Sequence, residues 1–255
     1  MSTLWIRRIS FGARSHERVD GFVRDTEEDM DSWERLLKLD PDRTHTEAML
    51  DQACKAPVDA LILGGTWGVT TRNATDLALA LRARKVRRPI WQEVSSDNGI
   101  AFGVDGYLFP IVLNALDIDV FARSYVKALR LYRSVIPWNK CESIGYVVMN
   151  EACAVARRAR AEIPRDLEDV LAYAAYGTRL CGMKALYLEY SGTLGDVRVL
   201  QSVKRAFPHI HLVYGGGIET LEQMEIMKRF ADTVVVGNVL YEKGLTRFLK
   251  ATCTT

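Results

Sequence analysis

The sequence contains no run of about 18 apolar residues, which excludes a helix spanning a membrane. Its start, MSTLWIRRISFGARSHERVDGF, lacks the apolar core and small-residue cleavage site of a secretory signal, so a cytoplasmic protein is expected. Cysteine is sparse. Cys54, Cys141, Cys153, Cys181 and Cys253 are odd in number, widely spaced and never in a CxxC pair, which argues against a disulfide framework or a zinc site. Histidine is sparser still: His16, His45, His209 and His211. The last two flank Ile210 just ahead of an apolar run, a packing pattern rather than a metal site. Neither sign of charge is in excess, with 34 Lys+Arg against 32 Asp+Glu interspersed along the chain, so the basic stripe of a nucleic-acid binder is missing and a small partner is expected.

What is present is an ordinary globular composition, 48% hydrophobic, in 255 residues, a length that suits a single α/β barrel. Residues 1–33, rich in Arg, Asp and Glu without a clear period, read as an N-terminal extension outside the main domain of 34–255. After it, eight short apolar runs alternate with helical patterns, the signature of βαβ units. The predicted strands cover 36–39, 59–63, 89–94, 107–113, 143–149, 184–190, 211–214 and 233–237. Helix-like stretches begin near Thr or Asp residues able to cap them. Between the third and fourth strands only SSDNGIAFGVDG intervenes, too short and Gly-rich for a crossover helix. The expected fold is a modified TIM barrel lacking its third outer helix.

In such barrels the chemistry sits at the C-terminal strand ends, with a phosphate held by the loops after strands seven and eight. Here those ends read YGGGIET and VVVGN. Gly215, Gly216 and Gly217 let the backbone approach an anion, and Gly237 with Asn238 can face them, although glycines at strand ends also simply make tight turns. At the end of the first strand Lys38 and Asp40 share a face. They are either a plain salt bridge or a site for a phosphate and a Mg²⁺. The sixth strand puts Tyr187, Glu189 and Ser191 on one side, and a carboxylate amid LYLEYSG is either structurally paired or poised to take a hydroxyl proton.

KLDPDR, LILGGTWGVT, YLFPIVLN, IGYVVMN, YLEYSGTLGD, YGGGI and VVVGNVLYEKG together resemble the geranylgeranylglyceryl phosphate synthases and their bacterial heptaprenylglyceryl phosphate relatives, in order from about Trp33 to Leu249. The resemblance implies a TIM barrel missing its third helix and a Mg²⁺-dependent prenyltransferase. Such an enzyme joins a polyprenyl diphosphate to sn-glycerol 1-phosphate in ether-lipid synthesis. Carried over by motif, Lys38 contacts the acceptor, and Asp40 and Thr66 ligate Mg²⁺. Tyr187, Leu188, Glu189, Tyr190, Ser191 and Gly192 line the acceptor, and Gly217, Gly237 and Asn238 hold its phosphate. Glu189 is the expected base. Ala128, in a helix that spaces Phe121, Tyr125 and Tyr132 along one face, matches the family's chain-length limiter and is small, which implies a long donor. A homodimer and a transient contact with a membrane surface are further expectations. The chain departs from the family's pattern at Ile144, Glu151, Ala152 and Ala159 and carries a bulky Trp67 in its GGT loop, which puts the expected difference on the donor side. Rival readings are transfer to another phosphorylated acceptor such as phosphoglycerate, a sugar-phosphate isomerase or aldolase, and a phosphate-binding barrel without prenyltransferase activity.

Overall fold

The computed structural model describes residues 30–245 except positions 98 and 135. The extension up to residue 29, His16 and Cys253 lie outside the described residues. Eight parallel strands close in sequence order into a barrel: β1 (Arg35–Leu39), β2 (Ala60–Leu63), β3 (Ile90–Glu93), β4 (Gly106–Val112), β5 (Cys141–Val148), β6 (Ala185–Glu189), β7 (His211–Gly215) and β8 (Thr233–Val236). Each falls within one residue of a predicted run at either end, because burial on both faces leaves a parallel strand little but apolar residues. The exception is β5, which starts two residues earlier, at Cys141.

The outer layer consists of α1 (Glu47–Lys55), α2 (Thr71–Ala83), α3 (Ser124–Tyr132), α4 (Ala154–Ala159), α5 (Leu167–Ala175), α6 (Val197–Ala206), α7 (Leu221–Lys228) and α8 (Val239–Glu242). Their starts are set by the expected side-chain caps. Thr46 accepts from the Met49 N–H and Asp166 from the Asp169 N–H, while Thr70 with Asn73 and Thr220 with Gln223 form reciprocal capping boxes. The short α4 and α8 have no counterpart in the sequence reading.

Strand alternation splits the core in two. Leu37, Leu39, Leu61, Leu63, Leu186 and Leu188 face the helices, whereas Leu36, Ile62, Trp91, Ile144, Tyr146 and Tyr187 fill the barrel. Met30 and Trp33 join this interior cluster from below, Trp33 meeting Trp91 edge-on with ring centroids 5.4 Å apart. His211 lies at this lower end as well, its Nε2 bonded to Thr233 Oγ1 at 2.7 Å.

Between β3 and β4 no helix forms among the described residues, as the short connection implied. The outward residue of β3 there is Gln92, fully buried. Its amide donates to the Gly99 carbonyl and its carbonyl accepts from the Ala101 N–H at 2.6 Å, while Tyr107 donates to the Ala101 carbonyl at 2.8 Å. One polar side chain thus fastens an irregular loop where a helix would otherwise pack. Val94, Ile100, Tyr107, Phe109 and Tyr125 complete the cover.

The barrel is sealed by a seam between its first and last strands. Arg35, Leu36 and Leu37 pair with Val234, Val235 and Val236. Arg35 reaches Glu225 at 2.8 Å, Lys228 contacts Glu34 at 2.5 Å, and the Asp40 N–H donates to the Tyr241 hydroxyl at 2.7 Å.

Gln92→Leu preserves volume but leaves the buried Ala101 N–H and Gly99 carbonyl without partners. It is expected to lower unfolding stability by about 1–3 kcal/mol, read by chemical denaturation.

Candidate active site

At the C-terminal ends of the strands lies a cavity of about 470 Å³. Its floor is built around Lys38. The side chain rises inside the barrel, its ammonium 2.6 Å from Glu93 Oε1, and the Tyr146 hydroxyl donates to the other Glu93 oxygen. Tyr146 stacks on Tyr187 with ring centroids 4.2 Å apart. Burial alone would push the Lys38 pKa down, but Glu93, Glu189 and Asp40 outweigh it and hold the value above the ordinary lysine range. Lys38 is therefore a fixed cation.

Glu189, 2% exposed, projects from the end of β6 into the same cavity. Its Oε1 accepts the Ser191 N–H at 2.7 Å. Burial raises its pKa, only partly opposed by Lys38 and the Ser191 bonds, so this carboxylate takes a proton more readily than an exposed one. Asp40 sits half-buried at the rim, where its Oδ1 accepts the Asp42 N–H at 3.0 Å. Burial raises its pKa too. It has no ion-pair partner within salt-bridge distance among the described residues. The β2 loop must pass it closely, since a Cβ on Gly65 would fall 2.1 Å from Asp40 Oδ1.

Opposite these carboxylates runs the glycine wall. Gly217 holds φ +60°, and a Cβ there would meet the Leu194 nitrogen at 2.3 Å, so the turn admits only glycine. Tyr214 fixes this wall by donating to the Gly216 carbonyl and accepting from the Gly195 N–H, both at 2.8 Å. Among the described residues the N–H groups of Gly216, Gly217, Gly237 and Asn238 find no acceptor in the chain. Arg43, stacked 3.8 Å above the Tyr241 ring, adds a cation beside them.

The cavity brings together Lys38, Asp40, Thr66, Tyr187, Glu189, Ser191, Gly192, Gly217, Gly237 and Asn238. It does not include Leu188 or Tyr190, because the alternation of β6 that turns Tyr187 and Glu189 inward turns these two toward the helices. Leu188 is buried there, and Tyr190 packs against Tyr214 and Gly216. Ala128 on α3 is fully buried and does not border the cavity. Of the departures, Ala152 lines the mouth, whereas Ile144 lies deeper in the barrel and Ala159 is packed at the end of α4, so these two are not mouth residues. Glu93 and Tyr146 were missed by the sequence reading. A carboxylate inside IWQEV carried the same signal as Glu189 inside LYLEYSG. Asn150 was passed over as well; it donates to the Ser191 carbonyl at 2.6 Å and accepts from the Ala152 N–H, tying the β5 and β6 loops together.

Among solved structures, the chain is similar to geranylgeranylglyceryl phosphate synthase from Thermoplasma acidophilum bound to sn-glycerol-1-phosphate. The TM-score is 0.73 and the identity 22% over 86% of this chain and 92% of that one, a likeness of fold. Among curated proteins, it is 39% identical to the heptaprenylglyceryl phosphate synthase of Geobacillus kaustophilus (84% of this chain, 89% of the relative). It is also 39% identical to that of Brevibacillus brevis (84% and 92%). The PcrB family profile matches residues 28–255, which include the whole described barrel, and the chain belongs to the PcrB family.

Proposed function

We propose that this protein is a prenyltransferase that forms an ether bond between a long polyprenyl diphosphate and sn-glycerol 1-phosphate. The observation that carries the reading is a single cavity with a buried carboxylate, Glu189, on one side and four unpaired backbone N–H groups on the other. The amides suit the acceptor's phosphate, which they bind without bringing a further charge into the barrel. The relatives named for this reaction, 39% identical over most of both chains, support the same choice.

In the reaction, the bond between the allylic carbon and the diphosphate oxygen breaks, and the electron pair leaves with the diphosphate. The acceptor's hydroxyl oxygen bonds to that carbon, and its proton passes to Glu189. Tyr187 and the Lys38–Glu93 pair shape the floor on which the acceptor lies, and Ser191 N–H keeps Glu189 aimed. Asp40 suits a divalent cation shared with the donor, being a half-buried carboxylate without an ion-pair partner beside Thr66. Among the described residues no cluster of three or more ligand side chains exists, which fits Mg²⁺ held by one carboxylate and the substrate's phosphate oxygens. When bound, the ion would offset the charge gathering on the leaving diphosphate. A cytoplasmic homodimer making transient contact with a membrane surface remains the working picture of its setting. No helix among the described residues is long and apolar enough to cross a bilayer.

Mass spectrometry of products from mixed geranyl, farnesyl, geranylgeranyl and heptaprenyl diphosphates, with glycerol 1-phosphate and phosphoglycerate in competition, tests the reading. The expected product is the heptaprenyl ether of glycerol phosphate. A phosphoglycerate ether would move the protein to the rival acceptor, and no ether at all would leave a phosphate-binding barrel.

Glu189→Gln keeps the shape and removes the base, so kcat is expected to fall by about 100-fold or more with little change in acceptor KM. Because burial raises the Glu189 pKa, the active carboxylate form is lost as pH falls through a value above the ordinary 4.5. The wild-type kcat/KM should decline on acidification from that higher pH, and Glu189→Gln should remove the part of the decline set by Glu189, leaving the part set by Asp40.

Asp40→Asn is expected to lower turnover by about two to three orders of magnitude and to raise the Mg²⁺ concentration needed for half-maximal rate. Full activity in excess chelator would remove Asp40 from this role.

A further inference from the structure

Apart from Arg43, the cavity's cation is Lys38, and Glu93 already occupies it. A polyprenyl diphosphate brings a multiply charged anion to a mouth that also holds Asp40 and Glu189. Arg43 stands on the β8–β1 side, against Tyr241. On the β2–β3 side stands Arg158.

Arg158, on α4, is half-buried. Its guanidinium donates to the Thr66 carbonyl at the end of β2 and, at 2.8 Å, to the Ser95 carbonyl just past β3. It lies over the ring of Trp67, 5.1 Å from the centroid. Among the described residues it has no carboxylate partner, unlike Arg35, Arg82, Arg84 and Arg198. A guanidinium has five N–H groups, and two carbonyls leave part of that fork unused. Arg158 stands just behind the cavity wall, flanked by lining residues on both sides: Thr66, and Ala154 and Val155 one turn earlier on α4. The neighbouring Ser95 hydroxyl is buried and without a hydrogen-bond partner. The unused part of a half-buried guanidinium is satisfied by an anion with several oxygens, whereas Ser95 Oγ is enclosed by the fold and does not face the cavity.

We propose that Arg158 binds the diphosphate of the prenyl donor. Trp67 and the two carbonyls hold the fork in place beforehand, so little side-chain freedom is lost on binding, and a planar fork suits paired phosphate oxygens. Charge on the diphosphate grows as the allylic bond breaks, so the same contact strengthens toward the transition state. Trp67, conspicuous in the sequence for its bulk, thereby acquires a role as the surface on which Arg158 rests. The assignment rests on the prenyl-transfer reading above.

The test measures inorganic pyrophosphate, in Mg²⁺, both as a ligand by calorimetry and as an inhibitor competing with the donor. Arg158→Gln is expected to weaken pyrophosphate and raise the donor KM by about 10- to 100-fold, with the acceptor KM within about twofold of wild type. Arg158→Lys should recover part of the loss, since it keeps the charge but not the fork. Unchanged pyrophosphate affinity in Arg158→Gln overturns the proposal and leaves Arg158 as a clasp between two loops. Should Arg158→Gln fail to fold, Arg158→Lys decides: pyrophosphate binding weaker than wild type at unchanged melting temperature supports the site, and unchanged binding overturns it. Arg158-dependent pyrophosphate binding in a protein that yields no ether product would keep the anion site and sink the transferase reading instead.

Discussion

The site depends on the buried contact between Lys38 and Glu93. An unpaired ammonium inside a barrel would be expelled or neutralised, and an unpaired carboxylate likewise, so each keeps the other charged where water is scarce. With Tyr146 closing the second Glu93 oxygen, the pair becomes a rigid, nearly neutral floor. Two consequences follow from that neutrality. Glu93 takes up one N–H of the Lys38 ammonium, and among the described residues the amides of the glycine wall stay without an acceptor in the chain, available to an anion. Glu189, for which burial outweighs the pull of Lys38, keeps a raised pKa and so remains able to accept a proton.

A different device serves the flank. Where the barrel lacks a helix, the strand it would have covered carries a glutamine instead of an aliphatic side chain, and its amide substitutes two hydrogen bonds for a packing face. The loop so held supplies the Ser95 carbonyl to Arg158. The absent helix is thus linked to the donor side of the mouth through named contacts rather than through empty space.

How much of this was legible in the chain varied with the kind of signal. Strand runs were readable because a parallel strand buried on both sides tolerates little besides aliphatic and aromatic residues. Caps were readable because Thr and Asp bond locally. The short α4 and α8, of six and four residues, are too brief to show a helical period, and they are held by their surroundings. Motif likeness treats LYLEYSG as one continuous lining, whereas the pleat turns only alternate side chains inward, so the side chains of Leu188 and Tyr190 lie on the helix side. Glu93 was overlooked although its setting repeats that of Glu189. Arg158 could not have been found from the sequence, since its partners Thr66, Ser95 and Trp67 are joined to it only by the closure of the fold.

The seam between β1 and β8 also governs when the site comes into being. The Asp40 N–H is bonded to Tyr241, 201 positions later, and the Trp33 carbonyl accepts from Thr233, 200 positions later. These contacts are among the most distant in the chain, and their loop-closure entropy is met only after nearly every intervening strand is in place. Asp40 and the glycine wall therefore reach their working separation at the end of folding, not along the way. A nascent chain still missing its last strand has no assembled mouth, and catalytic competence arrives as an all-or-none property of the completed ring.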